Sequence, residues 1–230
     1  MKLRKETEAG EIHGKWYEDA CGAAFAMELI GERWSLLVVR ELMLGGRRFS
    51  DIRASLPGIS AKVLTERLER LESAGIVVRT LSEPPASVQL YDLTEWGRAA
   101  EPLIQELGRW AVRSPLHDPT LPMTPVALML SMRTMLVVEK AEKLALTALF
   151  EVGQDRFLGR LEDGALSFTR LGTDAVETDL TFKAPTAGDF LPVLYGKVPP
   201  DTPGMRIEVT GERDLAGAFI DLFVLPPKIR

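Results

Sequence analysis

Between Val112 and Pro125 the chain reads VRSPLHDPTLPMTP, with prolines at 115, 119, 122 and 125. Each proline removes a backbone donor and disfavours helical geometry in the residue before it. Neither a helix nor a sheet ladder runs easily through such a segment. It predicts a linker over residues 114–124 between a first domain, 1–113, and a second, 125–230. A chain of 230 residues has room for that division, since it is long enough for one large domain or two ordinary ones. There is no internal repeat and no low-complexity stretch.

Hydrophobic content of 46% with 27% charged residues describes a folded chain rather than a disordered one. The net charge is −5. Residues 1–113 hold 16 basic and 17 acidic side chains, and residues 114–230 hold 12 and 16. Neither half is basic, so any contact with nucleic acid must come from a local patch. One cysteine, Cys21, excludes a disulfide framework within the chain, and with His13 and His117 alone beside it no metal site is expected. No cofactor is expected either. The first residues lack the apolar core of a signal peptide, and no apolar run nears the roughly 18 residues of a membrane span. A cytoplasmic protein with no membrane partner is the expectation.

In the first half, CGAAFAMELIG (21–31) predicts a short helix closed by Gly31. RWSLLVVRELMLGG (33–46) is apolar nearly all round, which predicts a central, buried helix ended by Gly45 and Gly46. In RRFSDIRASLPG, Phe49, Ile52 and Leu56 share one face, and Ser50 or Asp51 is placed to cap the start. PGISAKVLTERLERLESAG (57–75) follows. Ser60 is its expected N-cap, Leu64, Leu68 and Leu71 form the buried stripe, and Gly75 terminates it. Two strands, 76–81 and 88–93, are joined by the proline-containing SEPPAS. Thr94 is then placed to cap a helix over EWGRAAEPLIQELGRWAVR, in which Pro102 marks a kink or a restart.

Two helices joined by a short turn and followed by a β-ribbon make a winged helix-turn-helix. The second helix of such a pair can lie in the major groove of DNA. Candidate DNA-binding residues are Arg47, Arg48, Ser50, Ser60, Lys62, Thr65, Glu66, Arg67, Arg70 and Arg79. Lys62, Thr65 and Arg70 are the foremost groove candidates; a solvated helix face is the plainer reading of the same residues. Glu66 repels phosphate but can accept from a cytosine amino group. Ser50 and Ser60 also serve as caps, and Arg79 on the ribbon can reach a phosphate or the minor groove.

The landmarks LIGERW, RRFSDIR, PGISAKVLTERLERLESAG and YDLTEWG, in that order after Cys21, resemble the HxlR family of bacterial transcriptional regulators over about residues 20–111. The resemblance implies a homodimer bound to double-stranded operator DNA. Two positions depart from the family pattern: Gly22, where proline commonly follows the cysteine, and Glu32, where a small residue is usual. In some members the corresponding cysteine senses oxidants or electrophiles, which makes Cys21 a candidate redox sensor. A helix N-terminus would favour its thiolate. A small buried hydrophobe is the alternative role for a lone cysteine. The stripe Trp96, Leu103, Leu107, Trp110, with Trp16 nearby, covers either the protein's own core or a second chain.

The second half alternates short apolar runs with turns. A helix over TPVALMLSMRTMLVVEK is followed by strands in LALTALFEV, RFLGRLEDG, ALSFTRLG and ETDLTFKAP, then a short helix in TAGDFLPVLYG. A strand in MRIEVTG and a terminal helix in ERDLAGAFIDLFVLP end the domain. The fold class is therefore α+β, with a mostly antiparallel sheet in the second domain. Asp163-Gly164 predicts a tight hairpin turn. The order of elements over about 125–225 resembles the sterol carrier protein fold, whose apolar tunnel holds lipid-like molecules. On that resemblance Leu128, Met132, Met135, Phe150, Phe157, Phe168, Phe190 and Leu194 line a site for a small apolar ligand; alternatively they simply fill a core.

Catalysis needs a positioned acid, base or nucleophile. His13 and His117 have no partner arrangement, and no phosphate-loop motif is present. The chain reads as a homodimeric regulator controlled by an apolar ligand in its second domain. The alternative is a thiol sensor acting through Cys21 with a purely structural second domain.

Overall fold

The computed structural model describes residues 17–82 and 87–229, which form two compact units, one ending at Ala100 and the other starting at Glu101. Residues 101–111 form a helix that packs on the helix beginning at Pro125, so the prolines cross within the second unit.

The first unit opens with α1, Gly22–Ile30, closed at Gly31 as expected. The next helix, α2, covers Ser35–Leu42. Val38, Val39 and Leu42 are fully buried, but Leu37 is exposed, so α2 is central without being covered all round. Trp34 stays outside the helix: its backbone is left-handed, at φ +80°, where the chain turns from α1 into α2. A left-handed non-glycine residue costs about 1–2 kcal/mol, so the surrounding packing must hold this turn.

α3 spans Phe49–Ser55 and α4 spans Ala61–Ser73. The residue that precedes α3 is Arg48, and its side chain makes no capping bond. Ser50 and Asp51 therefore lie inside the helix, which corrects the expected cap; Ser50 bonds to Asp51 instead. Between the helices, Gly58 sits at φ +92°, a conformation that glycine adopts without penalty. Ser60 caps α4 by accepting from the Val63 amide at 3.2 Å. Leu64, Leu68 and Leu71 are buried to within 1%, each contributing about 1.5–3 kcal/mol of burial. Gly75, at φ +73°, ends the run.

The ribbon is β1, Val77–Leu81, antiparallel to β2, Gln89–Leu93, with Val77 opposite Leu93. Thr94 caps α5, Glu95–Arg98: its hydroxyl accepts from the Gly97 amide and donates to the Gly75 carbonyl at 2.7 Å. One threonine thus starts a helix and ties it to the end of α4. The expected continuous helix is two, α5 and α6, Glu101–Ala111. Pro102 falls in the first turn of α6, where its missing N–H has no helical partner to lose.

In the second unit α6 packs on α7, Pro125–Thr134. Arg133 pairs with Glu101 at 2.5 Å, and Arg109 donates to the Thr134 carbonyl at 2.7 Å. The long helix expected over 124–140 stops at Thr134, and a short α8 follows at Val138–Ala141. Five strands come next: β3, Leu146–Val152; β4, Asp155–Glu162; β5, Ala165–Leu171; β6, Leu180–Ala184; and β7, Glu208–Gly211. Their order is β5-β4-β3-β6-β7, and only the β3–β6 pair is parallel. Asp163 and Gly164 both have positive φ, the backbone of the two-residue turn that their sequence predicts. A 3-10 helix at Ala187–Phe190 leads into α9, Leu191–Leu194. The last helix, α10, spans Arg213–Ile220. Leu222 and Phe223 lie beyond it yet are buried, with Phe223 bridged to Leu136.

Candidate nucleic-acid interface

The turn from α3 to α4 and the ribbon behind it present one set of side chains to solvent. On α4 the leucine stripe turns inward, which leaves Lys62 and Thr65 exposed one turn apart. Among the described residues Lys62 has no ion-pair partner. Glu66 is half-buried beside Arg67, at 3.8 Å. Ser60 is exposed and holds the first turn, so the α4 N-terminus faces solvent. Arg48 and Ser50 are exposed at the start of α3.

Other expected contacts sit differently. Arg47 turns inward: it donates to Glu41 and to Ser55, and only 11% of its side chain is exposed. Its backbone also pairs with Tyr91 of β2 in both directions. Such an arginine holds the motif together, and the structure does not bring it to the face that carries Lys62. Arg67 and Arg70 both pair with Glu32, from the turn between α1 and α2. Burial works against the Arg67 charge and lowers its pKa. Arg79 pairs with Glu72 at 2.9 Å and lies over the Tyr91 ring at 5.6 Å. The tip of the ribbon lies outside the described residues.

Sequence reasoning passed over Glu41 and noticed Glu32 only as an unusual residue. Glu41 is fully buried and receives Arg40 as well as Arg47. An acidic residue inside an apolar helix such as α2 is itself a signal, since buried carboxylates are paired.

Cys21 is exposed at the start of α1, so the small-buried-hydrophobe reading fails. The backbone at Ala23 and Ala24, in the first turn of α1, draws the thiol below its ordinary pKa. Backbone hydrogen bonds of this kind stabilise the thiolate because they favour the charged form.

Of the expected dimer contacts, Trp16 lies outside the described residues. Trp96 on α5 is about half exposed. On α6, Leu103, Leu107 and Trp110 are all exposed, Trp110 at 74%. The intended ligand-lining residues are all buried. Phe150 touches four other rings, those of Phe168, Phe182, Phe190 and Phe219, with centroids 5.2 to 6.3 Å apart. Phe157 carries the Arg170 guanidinium over its face at 4.7 Å. Beside Met132 on α7, Ser131 shares a 2.6 Å hydrogen bond with the Tyr195 hydroxyl. Burial raises the Tyr195 pKa, so the phenol stays protonated.

No helix among the described residues is long and apolar enough to cross a membrane. Residues 29–117 match the HxlR-like helix-turn-helix family. The chain is 41% identical to the HTH-type transcriptional regulator YvaP of Bacillus subtilis over 87 residues, 37% of this chain and 80% of that protein. It is 45% identical to the HTH-type transcriptional regulator YodB of the same organism over 87 residues, covering 37% of this chain and 77% of that one. The solved structure of reduced YodB aligns at 38% identity with a TM-score of 0.38, covering 44% of this chain and all of that one.

Proposed function

The chain belongs to the HxlR-like helix-turn-helix family of transcriptional regulators, which are not enzymes, and on that premise we propose that it binds operator DNA as a homodimer through α4. The observation that carries this reading is the exposed Lys62 and Thr65 behind the Ser60 cap, on a helix followed by an antiparallel ribbon. The helix N-terminus favours phosphate, and among the described residues Lys62 has no ion-pair partner to compete with a groove. In a homodimer, two such helices meet half-sites about 34 Å apart. Exposed Leu103, Leu107 and Trp110 supply the kind of apolar surface that a second chain would cover.

The second unit is read as a sterol carrier protein-like sensor of a small apolar ligand. Its sheet order and the phenylalanine cluster facing α10 support that reading. A ligand regulates only by preferring one dimer geometry over another. Titrating apolar effectors into a binding assay with labelled operator duplex tests this. The expected result is a change in DNA affinity; an effector that saturates the second unit and leaves affinity unaltered would overturn ligand control.

A second reading rests on Cys21, whose exposed thiol is activated by two helix amides. In that reading thiol oxidation or alkylation releases DNA and the second unit is structural. Release that persists in C21S would rule it out.

A further inference from the structure

The outward face of α4 carries surprisingly little net charge for a helix read as a DNA reader. Lys62, Arg67 and Arg70 are matched by Glu66, Glu69 and Glu72 within the same helix. A further carboxylate reaches it from outside. Glu32 leaves the turn after α1 and pairs with both Arg67 and Arg70, which stand one turn apart on the helix. The Arg67 side chain is 14% exposed and the Arg70 side chain 28%, while that of Glu32 is 38% exposed. The Glu32 side chain is therefore partly exposed at the rim, with one carboxylate oxygen, Oε2, buried on the Arg67 side.

Carboxylate and phosphate offer guanidinium the same kind of bidentate oxygen pair. Arg67 Nε and Nη1 are buried, so a phosphate arriving at this rim competes with Glu32 first for Arg70 and reaches Arg67 only as Glu32 is displaced. On the reading that α4 enters the groove, we propose that Glu32 is a specificity-determining residue that withholds Arg67 and Arg70 from DNA until a matching site supplies enough other contacts. Random DNA offers phosphates alone, and phosphate attraction is the part of binding that ignores sequence. A built-in carboxylate lowers that part selectively. Lys62 and Thr65, which lie outside this pairing, keep their access to the groove. The ratio of specific to non-specific affinity thus rises although the total affinity falls.

The test uses the full chain and two duplexes, one selected by the wild-type protein from a randomised pool and one of scrambled sequence. Fluorescence anisotropy across a salt series gives affinity and salt slope for each. E32Q keeps the shape and removes the charge. The expected result is scrambled-duplex affinity raised about tenfold, a log–log salt slope steeper by about one to two, and a reduced preference for the selected duplex. Unchanged or weaker scrambled-duplex binding by folded E32Q, with an unchanged slope, overturns the proposal. R67Q/R70Q supplies the reciprocal arm, and remains informative if E32Q does not fold. Its slope on the selected duplex should fall by about two, and an unaltered slope overturns the proposal because the arginines then never reach phosphate. Wild-type protein that selects no duplex at all overturns the DNA reading itself, which separates that failure from the failure of Glu32.

Discussion

Arg47 donates to the fully buried carboxylate of Glu41 at 3.0 Å. The same guanidinium holds the Ser55 hydroxyl at 2.8 Å, and Arg40 closes on the other Glu41 oxygen. Helix α2, the bridge from Arg47 to Tyr91, and the end of α3 are therefore joined through one carboxylate. Glu41→Ala leaves two guanidiniums around an uncompensated site. A loss of about 3–5 kcal/mol is expected, read as a lowered midpoint in urea unfolding followed by circular dichroism. A midpoint equal to wild type would show that the pairing contributes nothing.

Lys62 is exposed on α4 and tests the DNA reading independently of Glu32. Lys62→Ala should weaken operator binding and reduce the log–log salt slope by about 0.9, the share of one phosphate contact. A folded variant with the wild-type slope would place Lys62 on a merely solvated face.

The Ala23 and Ala24 amides favour the charged form of the Cys21 thiol, so its ionisation is displaced toward lower pH. The alkylation rate of the folded chain should level off at lower pH than that of the urea-unfolded chain. Identical pH profiles for the two states would remove the helix amides as the cause.

Leu107 and Leu103 are exposed one turn apart on α6. If a second chain covers them, L103R/L107R should shift the protein from dimer to monomer in sedimentation while leaving its helix content intact. Wild-type protein that sediments as a monomer, or a variant that stays dimeric, would exclude this face as the interface.

Phe150 is fully buried among four aromatic rings. Phe150→Ala should cost about 3–5 kcal/mol if the cluster is closely packed core. A much smaller loss, measured by urea unfolding, would point to a looser site with room for a ligand.

Much of the first unit was legible because its signals are local. Ser60 and Thr94 cap helices where a short polar residue precedes an apolar period, and Gly75 closes one where φ turns positive. The leucine stripe of α4 told its own inward face by spacing alone. Expectations failed where a long-range partner decides. Ser50 looked like a cap, but the helix already includes it, beginning one residue earlier at Phe49. Phe223 looked helical, yet it leaves α10 and bridges to Leu136, nearly ninety residues away in the chain. The proline-rich segment marks a break in regular structure, and α6 ahead of it packs forward on α7.

By itself the sequence determined the α4 helix with its cap and stripe, the ribbon, the hairpin at Asp163-Gly164 and the family landmarks, since each depends on residues within a few positions of one another. The tertiary structure alone decided what each arginine does. Arg47, Arg67 and Arg70 are as basic in sequence as Lys62, but Glu41 and Glu32 reach them from other elements. A guanidinium's role follows from which carboxylate lies within hydrogen-bonding distance, and periodicity along one helix carries no information about a side chain that arrives from another.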